Sequence, residues 1–145
     1  GIGMATTAST QASTMRRLLQ AAVTGDRDSM ADLVTADVTG WSPNLFVTSR
    51  DDLLAALERR DDAFSGIEVE VQALDQVGDK AIAEWHVAVD HTGRLVVDDD
   101  LTIEPTGRRL HISGATVAEF DGDRVCAFRS YFDDLALVEQ VLAEA

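Results

Sequence analysis

The stretch from Arg108 to Gln140 limits most strictly what this chain can fold into. It reads as a long strand, RRLHISGATVAEF, a tight turn at Asp121-Gly122-Asp123, a second strand, VCAFRSYF, and a closing LALVEQVL helix. Strict alternation groups Leu110, Ile112, Gly114, Thr116, Ala118 and Phe120 on one face of the first strand. The second strand groups Cys126, Phe128, Ser130 and Phe132, against Val125, Ala127, Arg129, Tyr131 and Asp133. A hairpin of this length needs a partner layer to cover its apolar face, and the upstream chain has to supply it.

That upstream chain begins with helical patterning. Met15, Leu18, Leu19, Ala22 and Val23 form one stripe from Gln11 onward, and Gly25 ends it. Asp26 or Asp28 caps a second, short helix bearing Met30, Leu33 and Val34. Trp41-Ser42-Pro43 closes a short extended piece, because proline pushes the residue before it out of the helical region. Ser49 to Asp52 is a weak capping box for a third helix with Leu53, Leu54, Leu57 and Phe64 on its apolar side. Strands follow over Ile67–Leu74 and Ala81–Val89. The second of these places Ala81, Ala83, Trp85, Val87 and Val89 together, with Glu84 and His86 opposite. His91 to Thr106 reads as irregular, and the aspartates 98–100 as a wet loop tip.

Helices first and antiparallel strands afterwards predict an α+β fold. The sheet is curved and mostly antiparallel, wraps three N-terminal helices, and leaves a cone whose open end is a pocket for an apolar ligand. Residues 1–10, small and polar, read as a frayed leader, and residues 11–145 as a single domain. With the more apolar face turned inward, Trp85, Thr116 and Ser130 are the inward residues that carry a polar atom.

Charge and cysteine content narrow the partners. A formal charge of -14, from 26 acidic and 12 basic side chains, repels nucleic acid and anionic lipid. No apolar run reaches the roughly 20 residues that span a bilayer. Cys126, the only cysteine, rules out an intrachain disulfide and suits a reducing cytoplasm. It reads as a structural thiol in an apolar strand. The three histidines show no metal-site spacing, and phosphate loops and nucleophile elbows are absent from the sequence.

Three pieces carry a family resemblance: AEWHVAVDHTG (83–93), PTGRRLHISGATVAEFDGDRV (105–125) and RSYFDDLALVEQV (129–141). In order and spacing they resemble the SnoaL-like polyketide cyclase family within the nuclear-transport-factor-2-like superfamily. The resemblance implies a cone-shaped α+β barrel, a small hydrophobic ligand and a homodimer formed through the open face of the sheet. It also implies acid/base chemistry by a pocket carboxylate on a carbonyl compound, as in a cyclase or ketosteroid isomerase, with no metal or cofactor. Asp133 matches the aspartate of the closing motif and is the candidate acid/base. The alternative role for it is capping the helix that follows. Trp41, Trp85, Thr116 and Ser130 are expected to shape the pocket, while Tyr131 lies either there or on the dimer face. Epoxide hydrolysis is disfavoured, since Ser130 stands where those relatives carry an aspartate and Trp85 and Val87 where they carry Arg-x-Asp. His86 and His111 fall on the outward parity and become candidate bases only if that parity is reversed. The sparse inward ionisable groups keep a rival open: a non-catalytic binding or interaction protein of the same fold.

Overall fold

The computed structural model describes residues 2–59 and 62–143, with side chains from residue 10 onward. Three helices come first: α1 (Ile2–Thr24), α2 (Arg27–Leu33) and α3 (Arg50–Glu58). Helix α1 thus begins upstream of Gln11, inside the segment expected to fray; Gly1 lies outside the described residues. It ends at Gly25, whose φ of 75° lets its own amide and that of Asp26 both return to the Ala21 carbonyl. Asp26 accepts from the Ser29 hydroxyl and from the Ser29 amide to start α2, and these two bonds hold its carboxyl below the ordinary carboxylate range. Ser49 accepts from the Asp52 amide to start α3. Asp52 reaches back to the Thr48 amide rather than to Ser49, so the expected capping box closes one residue early.

Strands β1 (Val34–Ser42), β2 (Leu45–Val47), β3 (Phe64–Val77), β4 (Lys80–His91), β7 (Arg109–Asp121) and β8 (Arg124–Phe132) form a six-stranded sheet in the order β2-β1-β8-β7-β4-β3. All neighbours are antiparallel except β1 and β8, which run parallel. The 91–106 segment is more regular than its sequence suggests: β5 (Leu95–Asp98) and β6 (Leu101–Ile103) make a separate hairpin. Its tip carries the exposed aspartates, with the Asp100 amide bonded to the Asp98 carboxylate. His91 is fully buried and holds this loop in place. Its Nδ1 accepts from the Thr106 amide, and its carbonyl accepts from Gly107.

The strand parity expected for β4 and β7 is the one observed. Ala81, Ala83, Trp85, Val87 and Val89, together with Leu110, Thr116, Ala118 and Phe120, are buried against α1 and α2 residues such as Met15, Leu18 and Met30. The start of β8 departs from it. The register shifts between Glu119 and Phe120, so Cys126 is the extra residue of a β-bulge. Val125 is therefore fully buried, and Cys126 is half-buried with its thiol donating to the Glu119 carbonyl. Burial pushes that thiol's pKa up, away from nucleophilic use. Beyond the bulge, Phe128, Ser130 and Phe132 keep the inward parity.

Helix α1 closes the narrow end of the cone. Gln11 is buried, donates to the Gly122 carbonyl and accepts from Gln76, while Thr14 donates to the Asp123 carbonyl. The β7–β8 turn is thereby tied to the first helix. At the wide end, α4 (Ala136–Leu142) folds back across the sheet and brings Leu137 to the opening. Among the described residues no helix is long and apolar enough to cross a membrane.

Candidate functional site

Between helices and sheet lies a cavity of about 310 Å³. Its helical wall is Leu18, Leu19, Met30 and Leu53; its sheet wall includes Val87, Ile112 and Phe128. Two glycines create the room on the sheet side. A methyl group at Gly114 would collide with the Trp85 indole, and one at Gly40 would collide with the Phe128 ring. The far edge of each aromatic ring therefore sits where a side chain would otherwise stand.

Polar atoms in this wall are few and ordered. Trp85 Nε1 donates to Thr116 Oγ1 at 3.0 Å, and Thr116 Oγ1 sits 2.8 Å from Ser130 Oγ. Register explains the meeting: Thr116 pairs directly with Ser130 across β7 and β8, and Trp85 pairs with Gly114 next along the same face. Near the opening, the Ser42 hydroxyl bonds the Asn44 side chain at 2.9 Å. A shallower groove continues outward from there to Arg59. Among the described residues, no Asp, Glu, His, Lys or Arg lines the cavity itself.

Of the residues expected in the pocket, Trp85, Thr116 and Ser130 line it. Trp41 and Tyr131 do not. On β1 the inward positions are Gly40 and Ser42, so Trp41 points out; it packs on Tyr131 with ring centroids 5.4 Å apart, both rings in solvent on the outer face. Asp133 is also outside the lining. It is exposed one residue beyond β8, with Oδ1 accepting the Leu135 amide at 3.0 Å and its carbonyl accepting the Ala136 amide. This turn leads the chain into α4 without a side-chain cap on the helix itself.

His86 and His111 stay on the outer face, because the parity is not reversed. Their rings stack at 5.2 Å, with His86 Nε2 3.0 Å from His111 Nδ1 and His86 Nδ1 2.9 Å from Ser113 Oγ. Among the described residues no group of three or more His, Cys, Asp or Glu is placed to hold a metal ion. Sequence reasoning missed Ser42, Asn44 and Arg59 at the mouth. Only the proline after Ser42 hinted that the chain turns there.

A family model for the SnoaL-like domain matches residues 15–128. The chain belongs to the SnoaL-like domain family. Among solved structures it is similar to a Jannaschia protein assigned to the SnoaL-like polyketide cyclases (TM-score 0.76, 18% identity, 94% of each chain covered). It is also similar to an Acidithiobacillus ferrooxidans protein assigned as a polyketide cyclase (TM-score 0.77, 18% identity, 91% of this chain and 94% of that one). A third is an LEH-like epoxide hydrolase of Mycobacterium tuberculosis (TM-score 0.67, 17% identity, 92% and 90%). At such identities these likenesses establish the cone-shaped α+β fold of the family and not a shared reaction. No match was found among curated protein sequences.

Proposed function

We propose that this SnoaL-like protein binds a small, neutral, largely apolar molecule in its cone. One observation carries the reading: a cavity of about 310 Å³ whose wall, among the described residues, holds no ionisable side chain and only neutral polar groups, the Trp85–Thr116–Ser130 row and the Ser42–Asn44 pair. The volume falls at the lower end of the range for small-molecule sites, roughly 300–1,000 Å³. An acid/base enzyme would need a group that exchanges protons within reach of the ligand. Asp133, the candidate from the closing motif, instead spends one oxygen on the turn before α4.

The second reading, acid/base catalysis on a carbonyl compound with Asp133 as the proton carrier, draws its support from the polyketide cyclase assignments of the structural relatives. A binding titration and a turnover assay together separate the two. The neutral fluorophore N-phenyl-1-naphthylamine should brighten on binding the wild-type protein. Ile112→Trp, which fills the cavity, should abolish this with the circular dichroism spectrum unchanged, whereas Asp133→Asn should leave it as it was. Lack of binding by the wild type, or binding that survives Ile112→Trp, would sink the cavity reading. Turnover of an aromatic polyketide ketone that disappears in Asp133→Asn would favour the second. We also propose that the chain pairs with a second copy through the outer face of the sheet, where Trp41, Tyr131 and Ile82 stand in solvent.

A further inference from the structure

We infer that the Ser130 hydroxyl is a one-way hydrogen-bond donor that selects ligands presenting a neutral oxygen acceptor to the sheet wall. The inference rests on the cavity-binding reading and goes beyond it by naming the selecting atom. Direction follows from the inventory of donors and acceptors. An indole N–H can only donate, so Trp85 fixes one lone pair of Thr116 Oγ1 as an acceptor. Thr116 is 1% exposed, and among the described residues Ser130 Oγ at 2.8 Å is the one other partner of its hydroxyl.

If Ser130 donated to Thr116, the Thr116 hydrogen would be buried with nothing to accept it, an arrangement that folded proteins avoid. The Thr116 hydrogen therefore goes to Ser130. Among the described residues Ser130 Oγ has Thr116 as its sole partner, and its own hydrogen is left to point into the cavity. Donation along the row also polarises the last hydroxyl, so Ser130 is a better donor than an isolated serine. An occupant that sets a ketone, aldehyde, ester or ether oxygen there completes the row; a pure hydrocarbon leaves the last hydrogen unpaired. A carboxylate finds no cation among the described residues of the wall and meets a chain of net charge -14.

The test is a matched pair of bicyclic probes, 2-acetylnaphthalene and 2-ethylnaphthalene, titrated into the wild type and Ser130→Ala. Loss of one neutral hydrogen bond should weaken the ketone about fivefold to tenfold. The hydrocarbon, with no acceptor, should bind the two proteins alike. As a readout independent of any variant, the carbonyl carbon of ¹³C-labelled 2-acetylnaphthalene bound to the wild type should resonate downfield of its position in hexane. Should Ser130→Ala fail to fold, that shift alone decides. Equal binding of both probes by both proteins, or a hexane-like carbonyl resonance, overturns the donor assignment while cavity binding stands. Failure of both probes to bind the wild type overturns the donor assignment and the cavity reading together.

Discussion

Gly114 shows how one absent side chain shapes the cavity. It lies on β7 beneath Trp85, pairs across to Phe132, and sits close to the Tyr131 carbonyl. Gly114→Ala should therefore lift the indole off the sheet and lengthen its bond to Thr116. The expected cost is about 1–3 kcal/mol of stability, typical of overpacking where backbone lies behind the new methyl. Chemical denaturation measures it, and near-ultraviolet circular dichroism should report the displaced ring. An unchanged midpoint and spectrum would mean that Trp85 has slack not visible in its contacts. The outer face at this scale is more ordinary. The guanidinium of Arg129 bonds the Glu119 carboxylate at 2.8 Å and holds it below its ordinary pKa. Any stability from that shift is present above the unfolded-state carboxylate value and fades as pH falls through the folded one. Both side chains are more than a third exposed, so solvent screening keeps the contribution small.

Helix α4 is the element whose fixation says most about access to the cavity. Two anchors tie its C-terminal half to the start of β7. The Gln140 side-chain amide accepts from the His111 backbone N–H and donates to the His111 carbonyl, pairing with β7 as a strand residue would. Arg108 Nη1 is within bonding range of the carbonyls of Gln140, Val141 and Ala143, which the helix end leaves free. Gln140→Ala should cost about 1–2 kcal/mol for the lost amide pair, and amide exchange at His111 should quicken with it. Exchange that stays slow would show that Arg108 alone seats the helix.

Much of this arrangement could be read in advance, for physical reasons that differ by element. Strands β4 and β7 alternate cleanly, so pattern alone turns Trp85 and Thr116 inward, and the alternation of β8 does the same for Ser130. The Cys126 bulge could not be foreseen, since one inserted residue leaves no compositional trace. Trp41 misled because its bulk suggests a core. What decides its side is the parity of β1, set by Gly40 lying against Phe128. Asp133 misled in another way: a motif residue next to a pocket residue faces elsewhere once the strand has ended. The Gln140 and Arg108 bonds join positions distant in the chain, which local patterning does not encode.

At the scale of the whole molecule, the cone has two sheet surfaces with opposite fates. The concave one is apolar and covered by helices. The convex one mixes the stacked His86–His111 pair, the Arg129–Glu119 pair and the Trp41–Tyr131 pair. If that convex surface pairs two copies, sedimentation equilibrium should return twice the monomer mass of 15.6 kDa, and Trp41→Glu should return the monomer with its folded spectrum intact. A wild-type protein that sediments as a monomer at high micromolar concentration would sink the proposal. The parallel pairing of β1 with β8 bears on how the molecule is made. Val34, produced early, finds its partner in Val125, and β1 otherwise borders only the short β2. A nascent chain halted after β7 would show an unclosed, apolar half-cone to water. Synthesis has to pass β8 before that surface can be sealed, which makes the interval between the two strands the time at which this chain most needs a chaperone.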